Sequence, residues 1–318
     1  MTSRVLVSSV SAKVPMVRAV KKGFLKVDPK AEVWGADCNP KSLANDFIEG
    51  FILMEPLDKL SLSDLIDTLV ENQITHIIPS RDGELLFYAK HIELFVSNGI
   101  HVMISPAKAI ESCLDKLRFF EDYQANMSII PTYPKPNESS ERWVVKERFG
   151  AASKDIAIDV STQSAISHGA GLSEAIYQPF IDGLEYSVDL YLTKDGDSMG
   201  CVVRSRDHVI NGESKITTSR KRPDIAQLAI ALAKTIGLCG HVLVQIIEDI
   251  QGGLNVVEIN PRYGGASGLS VALGLDSFQW FARETLDEDI TSMCLSDYSS
   301  NTRMVKSEFK ETITSHES

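Results

Sequence analysis

Residues 244–262 read VQIIEDIQGGLNVVEINPR, two β-rich runs on either side of a glycine-containing turn. This arrangement is typical of a β-hairpin. Glu258 and Asn260 are two positions apart, so their side chains leave the same face of the second strand. A turn centred on residues 251–252 places Gln245 directly opposite Glu258. The hairpin is therefore expected to gather three oxygen-bearing side chains on one patch.

This patch has the chemistry of a magnesium site. Directly paired Cβ atoms lie about 4.5–5.5 Å apart, and carboxylate and amide oxygens are ligands that Mg²⁺ accepts together with phosphates and water. Arg262, two positions after Asn260, adds a fixed cation where phosphoryl charge must be neutralised. An isolated Glu-x-Asn is more often a solvated hairpin face, so the rest of the chain has to decide.

Two lysines upstream are candidates for phosphate binding. Lys146 ends a β-rich run just before the tip RFGAAS, and Lys116 lies in the helical segment SPAKAIESCLDKLRFF. A lysine on rigid structure offers phosphate a point charge, and small residues at the tip let backbone N–H groups approach a nucleotide. These small residues are Gly150, Ala151, Ala152 and Ser153. The alternative for either lysine alone is a surface position.

Residues 177–185, YQPFIDGLE, resemble a nucleoside hinge. Backbone groups around Phe180 and Ile181 are expected to pair with the edge of adenine. Glu185, seven positions after Gln178, is placed to accept hydrogen bonds from ribose hydroxyls.

The regions on either side of these segments differ in their pattern of apolar residues and hence in predicted secondary structure. The first hundred residues alternate short apolar runs with helical periodicity, which predicts a Rossmann-like parallel sheet. Arg81, Asp82 and Glu84 follow a strand end there, where α/β clefts bind ligands, and they are weak candidates for substrate binding. Helix capping is the alternative. After PTYPKPNESS (131–140) the pattern predicts antiparallel strands, and after about residue 289 it turns polar.

Composition excludes several classes of protein. The 318 residues carry 32 Lys+Arg against 43 Asp+Glu, a net charge of −11, so no overall field draws the chain onto nucleic acid. No apolar run approaches the roughly 20 residues of a membrane span. The five cysteines have neither disulfide-framework nor zinc spacing. We therefore expect a cytoplasmic protein that binds neither nucleic acid nor membrane.

Four segments, in this order, carry a resemblance to the ATP-grasp superfamily, and most closely to its carbamoyl-phosphate-synthase large-subunit-like branch. They are LDK (114–116), VVKERFGAASKDI (144–156), YQPFIDGLEYSVDLYL (177–192) and VVEINPRYGGASGLSVALG (256–274). The resemblance runs from Arg4 to about Asp289. It implies an α/β and α+β chain, in which a Rossmann-like pre-ATP-grasp domain precedes a two-lobed ATP-grasp fold with antiparallel sheets.

The implied domains are the Rossmann-like domain at 1–105, a small lobe with a linking helix and flexible phosphate loop at 106–180, a large lobe with the metal site at 181–292, and a polar tail at 293–318. The implied cofactors are ATP and Mg²⁺, with Mn²⁺ as a substitute. The nucleotide would contact Lys116, Lys146, Gly150, Ala151, Ser153, Gln178, Pro179, Phe180, Ile181, Glu185 and Gln245. The metal would contact Gln245, Glu258 and Asn260, and the catalytic candidates are Arg262, Lys215 and Arg206.

The family chemistry implies a ligase that phosphorylates a small carboxylate with ATP and transfers the acyl group to an amine, releasing ADP and phosphate. Its partners would be these two small molecules, and a homodimer stays open. Two alternatives remain. One is an enzyme that forms carboxyphosphate or a carbamoyl-phosphate-like product, and the other is a non-catalytic ATP-binding subunit.

Overall fold

The computed structural model describes residues 2–150 and 155–306. A parallel sheet forms the N-terminal part, with strand order β3-β2-β1-β4-β5. Its strands are β1 (Arg4–Ser8), β2 (Glu32–Asp37), β3 (Gly50–Leu53), β4 (His76–Ile78) and β5 (His101–Val102). The helices in this part are α1 (Val14–Leu25), α2 (Leu62–Glu71), α3 (Asp82–Lys90) and α4 (Ile92–Ser97). The expectation of a Rossmann-like start is confirmed.

The apolar run in β1 explains why this sheet is covered on both faces. Val5 and Val7 pack with Phe24 of α1 on one face, and Leu6 packs with Leu65 of α2 on the other. A strand that is apolar at consecutive positions is typical of a parallel sheet between two helical layers.

Part of the helical prediction differs from the structure. The periodicity predicts one helix over 84–98, whereas α3 and α4 are separated at His91. His91 takes φ −112° and ψ 16°, outside the helical region, and its Nδ1 lies 2.8 Å from the Phe87 carbonyl oxygen. A local side-chain bond to the backbone thus replaces continuation of the helix.

A small three-stranded antiparallel sheet follows, with order β7-β6-β8. Its elements are β6 (Arg142–Glu147), β7 (Ala157–Ser161), α7 (Thr162–Gly169) and β8 (Ala175–Pro179), and it is preceded by α5 (Ala107–Leu114) and α6 (Lys116–Tyr123). The pairing of Trp143 with Val160 confirms the predicted antiparallel neighbours.

The large sheet is antiparallel along β13-β12-β9-β10-β11-β14. It contains β9 (Gly183–Leu192), β10 (Ser198–Ile210), β11 (Glu213–Arg220), β12 (Gly240–Asp249), β13 (Leu254–Asn260) and β14 (Arg303–Val305), with α8 (Pro223–Ile236), α9 (Gly268–Ala272) and α10 (Ser277–Glu284). The predicted alternation in β9 holds, because Tyr186, Val188 and Leu190 share one core cluster with α8 residues.

The C-terminal segment differs from the expected polar tail. Residues 303–305 form β14, in which Met304 pairs with Thr217 of β11. The Tyr298 hydroxyl donates to the Arg220 carbonyl over 2.7 Å and pins the preceding turn. The outer edge of β11 would otherwise present unpaired backbone groups, and this short strand covers part of it. Among the described helices, none has the length and apolar character to cross a membrane.

Candidate active site

A cavity of about 1010 Å³ lies where the two antiparallel sheets face each other, and Asp82 at the start of α3 reaches its wall. It gathers most of the side chains that the sequence singled out. These are Asp82, Lys116, Lys146, Gly150, Gln178, Pro179, Phe180, Ile181, Glu185, Arg206, Gln245, Glu258, Asn260 and Arg262. Of the other predicted residues, Arg81, Glu84 and Lys215 do not line it, and Ala151 and Ser153 lie outside the described residues.

The hairpin β12–β13 has the predicted register at the site. Gln245 pairs with Glu258, and Leu243 pairs with Asn260. The Asn260 amide donates to Glu258 Oε1 over 3.1 Å, so both side chains leave the same face. Beyond Gln245 the register shifts by one residue, with Ile246 opposite Val256. The pairs nearest the turn centre it on Gln251 rather than between residues 251 and 252, and the irregularity then brings Gln245 opposite Glu258 as predicted.

Charge around Glu258 favours the carboxylate. Burial raises the pKa of Glu258, but Lys146, Lys116, the Asn260 amide and Arg262 together outweigh burial and hold the pKa below its ordinary value. For Lys146, burial acts in the other direction and lowers the pKa to about 8, and the nearby Lys116 adds to the effect. The cavity therefore holds an ionised carboxylate beside a lysine whose charge is only modestly favoured.

The donor set fits magnesium. Glu258 supplies one carboxylate, and Gln245 and Asn260 supply amide oxygens, all hard ligands of the kind Mg²⁺ prefers. Within residues 2–150 and 155–306, no group of three His, Cys, Asp or Glu side chains forms a metal cluster. An ion held by one protein carboxylate and neutral amides needs phosphate oxygens to complete its shell, so the residues fit a metal that arrives with a nucleotide.

Lys116 is positioned by residues that the sequence reasoning missed. Asp115 caps α6 by accepting from the N–H groups of Leu117 (3.2 Å) and Arg118 (3.1 Å). Arg148 binds the same carboxylate through two N–H groups, at 2.7 and 2.6 Å. Lys116 Nζ then donates to the Gly150 carbonyl over 2.6 Å. An Asp immediately before a helix is an N-cap signal, which could have identified Asp115.

Arg262 is held by Asp82. Arg262 Nε and one terminal nitrogen each bind a different Asp82 oxygen at 2.6 Å. This bidentate pair crosses from the end of β13 to the start of α3, and it fixes the direction of the guanidinium plane. Asp82, a predicted substrate-side candidate, lines the cavity and is the partner of the predicted catalytic arginine.

Glu84 is a structural residue rather than a substrate contact, which corrects the expectation. It is 1% exposed, and it accepts hydrogen bonds from the hydroxyls of Ser8 (2.9 Å) and Ser9 (2.7 Å) and from the backbone N–H groups of Ser80 (2.6 Å) and Arg81 (3.1 Å). Its carboxylate ties the loop after β1 to the loop after β4. The capping alternative was the right interpretation for this residue.

On the nucleoside side, several predicted contacts are already engaged within the protein. The Gln178 amide is buried and donates to the Thr132 hydroxyl over 2.9 Å. The Phe180 N–H donates to the Arg142 carbonyl over 2.8 Å, so it is not free to pair with adenine. Glu185 accepts from the Gln245 amide at 3.2 Å.

Arg206 is an ion-pair partner of Glu185 rather than a free catalytic cation. Its Nε lies 2.9 Å from Glu185 Oε1 without the alignment of a hydrogen bond, and its side chain is 7% exposed. Burial raises the pKa of Glu185, and the charge of Arg206 opposes this shift. Lys215 binds Glu213 Oε2 at 2.8 Å and is not among the residues that line the cavity, whereas Arg206 is. The catalytic roles of both residues stay predictions.

A family model described as "ATP-grasp in the biosynthetic pathway with Ter operon" matches residues 172–307. Several solved structures share the fold. One is the biotin carboxylase domain of 2-oxoglutarate carboxylase from Hydrogenobacter thermophilus, with MgADP, ADP and bicarbonate (TM-score 0.70, 18% identity, 91% of this chain and 70% of that one). Others are biotin carboxylase from Campylobacter jejuni in complex with β,γ-ATP (0.71, 13%, 94% and 74%) and an L-amino acid ligase from Bacillus licheniformis (0.69, 16%, 94% and 78%).

The chain therefore has the ATP-grasp fold over nearly its whole length, and its residues 172–307 match the sequence model of an ATP-grasp family. Both findings agree with the expected superfamily, while the branch within it stays a prediction. No curated protein sequence matches the chain.

Proposed function

We propose that the protein is an ATP- and Mg²⁺-dependent ligase that activates a small carboxylate as an acyl-phosphate and joins it to an amine. The observation that carries this proposal is the convergence of Glu258, Asn260 and Gln245 from the large sheet and Lys146 from the small sheet on one cavity, which Arg262 also lines. Relatives of the same fold include one crystallised with MgADP and one named as an amino acid ligase, which agrees with the expected cofactors and reaction class.

The proposed reaction has two steps. A carboxylate oxygen attacks the γ-phosphorus of ATP, the bond from that phosphorus to ADP breaks, and ADP leaves. The amine then attacks the acyl carbon, the carbon–oxygen bond to phosphate breaks, and the amine loses a proton as the amide forms. Charge spreads over phosphoryl oxygens in the first step, so the protein mainly has to orient reactants and neutralise charge.

Different residues of this chain would orient the reactants and neutralise their charge. Lys146 and Lys116 would bind phosphate oxygens, because both cations lie beside the Glu258 carboxylate. Glu258, Asn260 and Gln245 would hold Mg²⁺, which offsets phosphate charge when bound. Arg262, whose plane Asp82 fixes, would orient the carboxylate under activation.

Incubation of purified protein with ATP, Mg²⁺ and pooled carboxylates and amines tests the proposal through release of ADP and phosphate. We expect release that requires one carboxylate and one amine together. Nucleotide binding without turnover on any pair would favour the non-catalytic subunit instead, and absence of MgADP binding would reject both.

A second candidate is an enzyme that forms carboxyphosphate from bicarbonate. It is favoured by one observation, that the relative from Hydrogenobacter thermophilus contains bicarbonate together with MgADP. ADP release that depends on bicarbonate alone, with no added carboxylate, would support this candidate over amide ligation.

A further inference from the structure

The carboxyl ends of β1 and β4 meet where the strand order of the parallel sheet reverses, a position at which α/β sheets bind ligands. The two loops that follow these strands are joined tightly. The Ser80 hydroxyl donates to the Ser8 carbonyl over 2.5 Å and to the Ser9 carbonyl at 3.1 Å, and Glu84 accepts from both loops. The backbones of the two loops are thus fixed relative to each other, close to Asp82 of the cavity wall.

The loop after β1 holds an unusual backbone. Ser9 and Ser11 have φ of 50° and 38°, although neither is glycine. Residues in this region are disfavoured by roughly 1–2 kcal/mol each. The conformation directs the Ser9 carbonyl toward Lys13, whose Nζ donates to it over 2.6 Å.

Three cations converge at this edge of the sheet. Burial lowers the pKa of Lys13, Glu84 and Asp37 oppose that shift, and the positive charges of Arg262 and Arg81 add to it. Lys13 Nζ and the Ser80 hydroxyl share the Ser9 carbonyl, at 2.6 and 3.1 Å, so Lys13 lies beside the loop that continues directly into Arg81. The guanidinium of Arg262 is engaged by Asp82.

Arg81 is different from the other two cations. It is exposed, and its side chain makes no ion pair or hydrogen bond with any residue that the structure describes. It is adjacent in sequence to Asp82, which lines the cavity. A fork of free N–H donors next to the cavity, beside a second cation, is suited to a planar anionic group.

We propose that Arg81 and Lys13 bind a second carboxylate of the substrate, so that the ligase acts on a compound with two acidic groups: one is held at this loop pair, and the other is directed past Arg262 into the cavity. This inference rests on the proposed function for the reacting end of the substrate. It adds the class of substrate, a small dicarboxylate or acidic amino acid.

The charge inventory supports an anion rather than a neutral group. The carboxylates nearest to these cations already have protein donors. Asp82 accepts from Arg262, Glu84 accepts from serines and backbone, and Asp37 accepts from the N–H groups of Ser11 (2.9 Å) and Asn39 (3.0 Å). These carboxylates offset part of the positive charge on Lys13, and the Arg81 guanidinium is left with its N–H donors available to an arriving anion.

The test compares diacids with their monoamides, which have nearly the same shape and one charge fewer. The pairs are succinate and succinamate, L-aspartate and L-asparagine, and L-glutamate and L-glutamine, titrated calorimetrically with and without MgADP. We expect at least one diacid to bind about tenfold or more tightly than its monoamide. Arg81→Gln should reduce this preference to about twofold or less and leave the Kd for MgADP unchanged. Lys135→Gln, at an exposed loop position, is the charge-matched control and should keep the preference.

Equal binding of every diacid and its monoamide, or an intact preference in Arg81→Gln, would overturn the inference. Both outcomes are separate from a failure of the proposed function, because that failure is read from absent MgADP binding or absent turnover. The diacid titration without nucleotide decides the inference in either case.

Discussion

The phosphate side and the nucleoside side of the cavity differ in how directly the chain presents its functional groups. On the phosphate side, Glu258, Asn260 and Gln245 project from paired strands whose register sets their spacing. On the nucleoside side, the Gln178 amide and the Phe180 N–H are committed to other protein groups. Side chains on this hairpin are thus placed by the pairing of two neighbouring strands, while a hinge takes its geometry from segments that are distant in sequence.

The largest expected effect is on the phosphate side. Glu258→Gln removes the only charged member of the proposed metal site, so turnover should fall by about 10³-fold. The fold should persist, with an unchanged circular dichroism spectrum. Glu248→Gln is the matched control on the same hairpin: its carboxylate binds Arg222 at 2.7 Å outside the cavity, so it should retain turnover. Near-normal activity of Glu258→Gln would break the contrast between the two sides.

Lys146→Met should weaken ATP binding by about 100-fold, because a charged donor to phosphate is lost. In the unmodified protein, Lys146 has a pKa of about 8, so its charge is present below that pH and is lost above it. ATP affinity should therefore be highest below pH 8 and fall as the pH rises past it. Since Glu258 has a lowered pKa, it stays ionised at neutral pH, and its protonation does not change the affinity for nucleotide in this pH range. Calorimetric titration with MgADP between pH 6.5 and 9.5 measures this, and a flat profile would contradict it.

On the nucleoside side, Arg206→Met should raise the KM for ATP by about tenfold with a smaller change in kcat. Loss of Arg206 leaves Glu185 partly buried without its cation, so the pKa of Glu185 rises further and the ribose loses an ionised acceptor. The loss in affinity should be larger at pH 6 than at pH 8. A fall in kcat with an unchanged KM would restore Arg206 to a catalytic role.

The smallest expected effect on the nucleotide is that of Gln178→Leu. The variant breaks a buried hydrogen bond to Thr132, so the free energy of unfolding should fall by about 1 kcal/mol, read from urea denaturation. The KM for ATP should change by less than about twofold, since the lost bond is internal to the protein. Thr132→Val removes the other partner and should give a similar loss, not additive with the first. A large rise in KM for Gln178→Leu alone would show that its side chain contacts the nucleotide.

The sequence was sufficient where the structure is periodic and local. Glu258 and Asn260 share a face because they are two positions apart on one strand, and the apolar stripe of β9 follows from alternation. The pairing of Gln245 with Glu258 was predicted correctly, but it depends on a bulge that no sequence pattern marks.

The sequence was insufficient where a side chain has two possible partners far apart in the chain. The bond between Arg262 and Asp82 spans 180 positions, and that between Gln178 and Thr132 spans 46. No periodicity reports such contacts. Glu84 was ambiguous for the same reason, since a carboxylate after a strand end serves a cap as well as it serves a ligand.

The contact between Lys116 and Gly150 means that the lysine proposed to bind phosphate already has an acceptor within the protein. Its ammonium donates to the Gly150 carbonyl, in the tip that follows β6. A phosphate oxygen that binds Lys116 would replace this neutral acceptor and return the carbonyl to water. The tip would stay attached to α6 through the Lys116 N–H, which donates to the Arg148 carbonyl, and through the pair of Arg148 with Asp115. The net affinity for ATP therefore includes the loss of one internal bond without release of the whole tip.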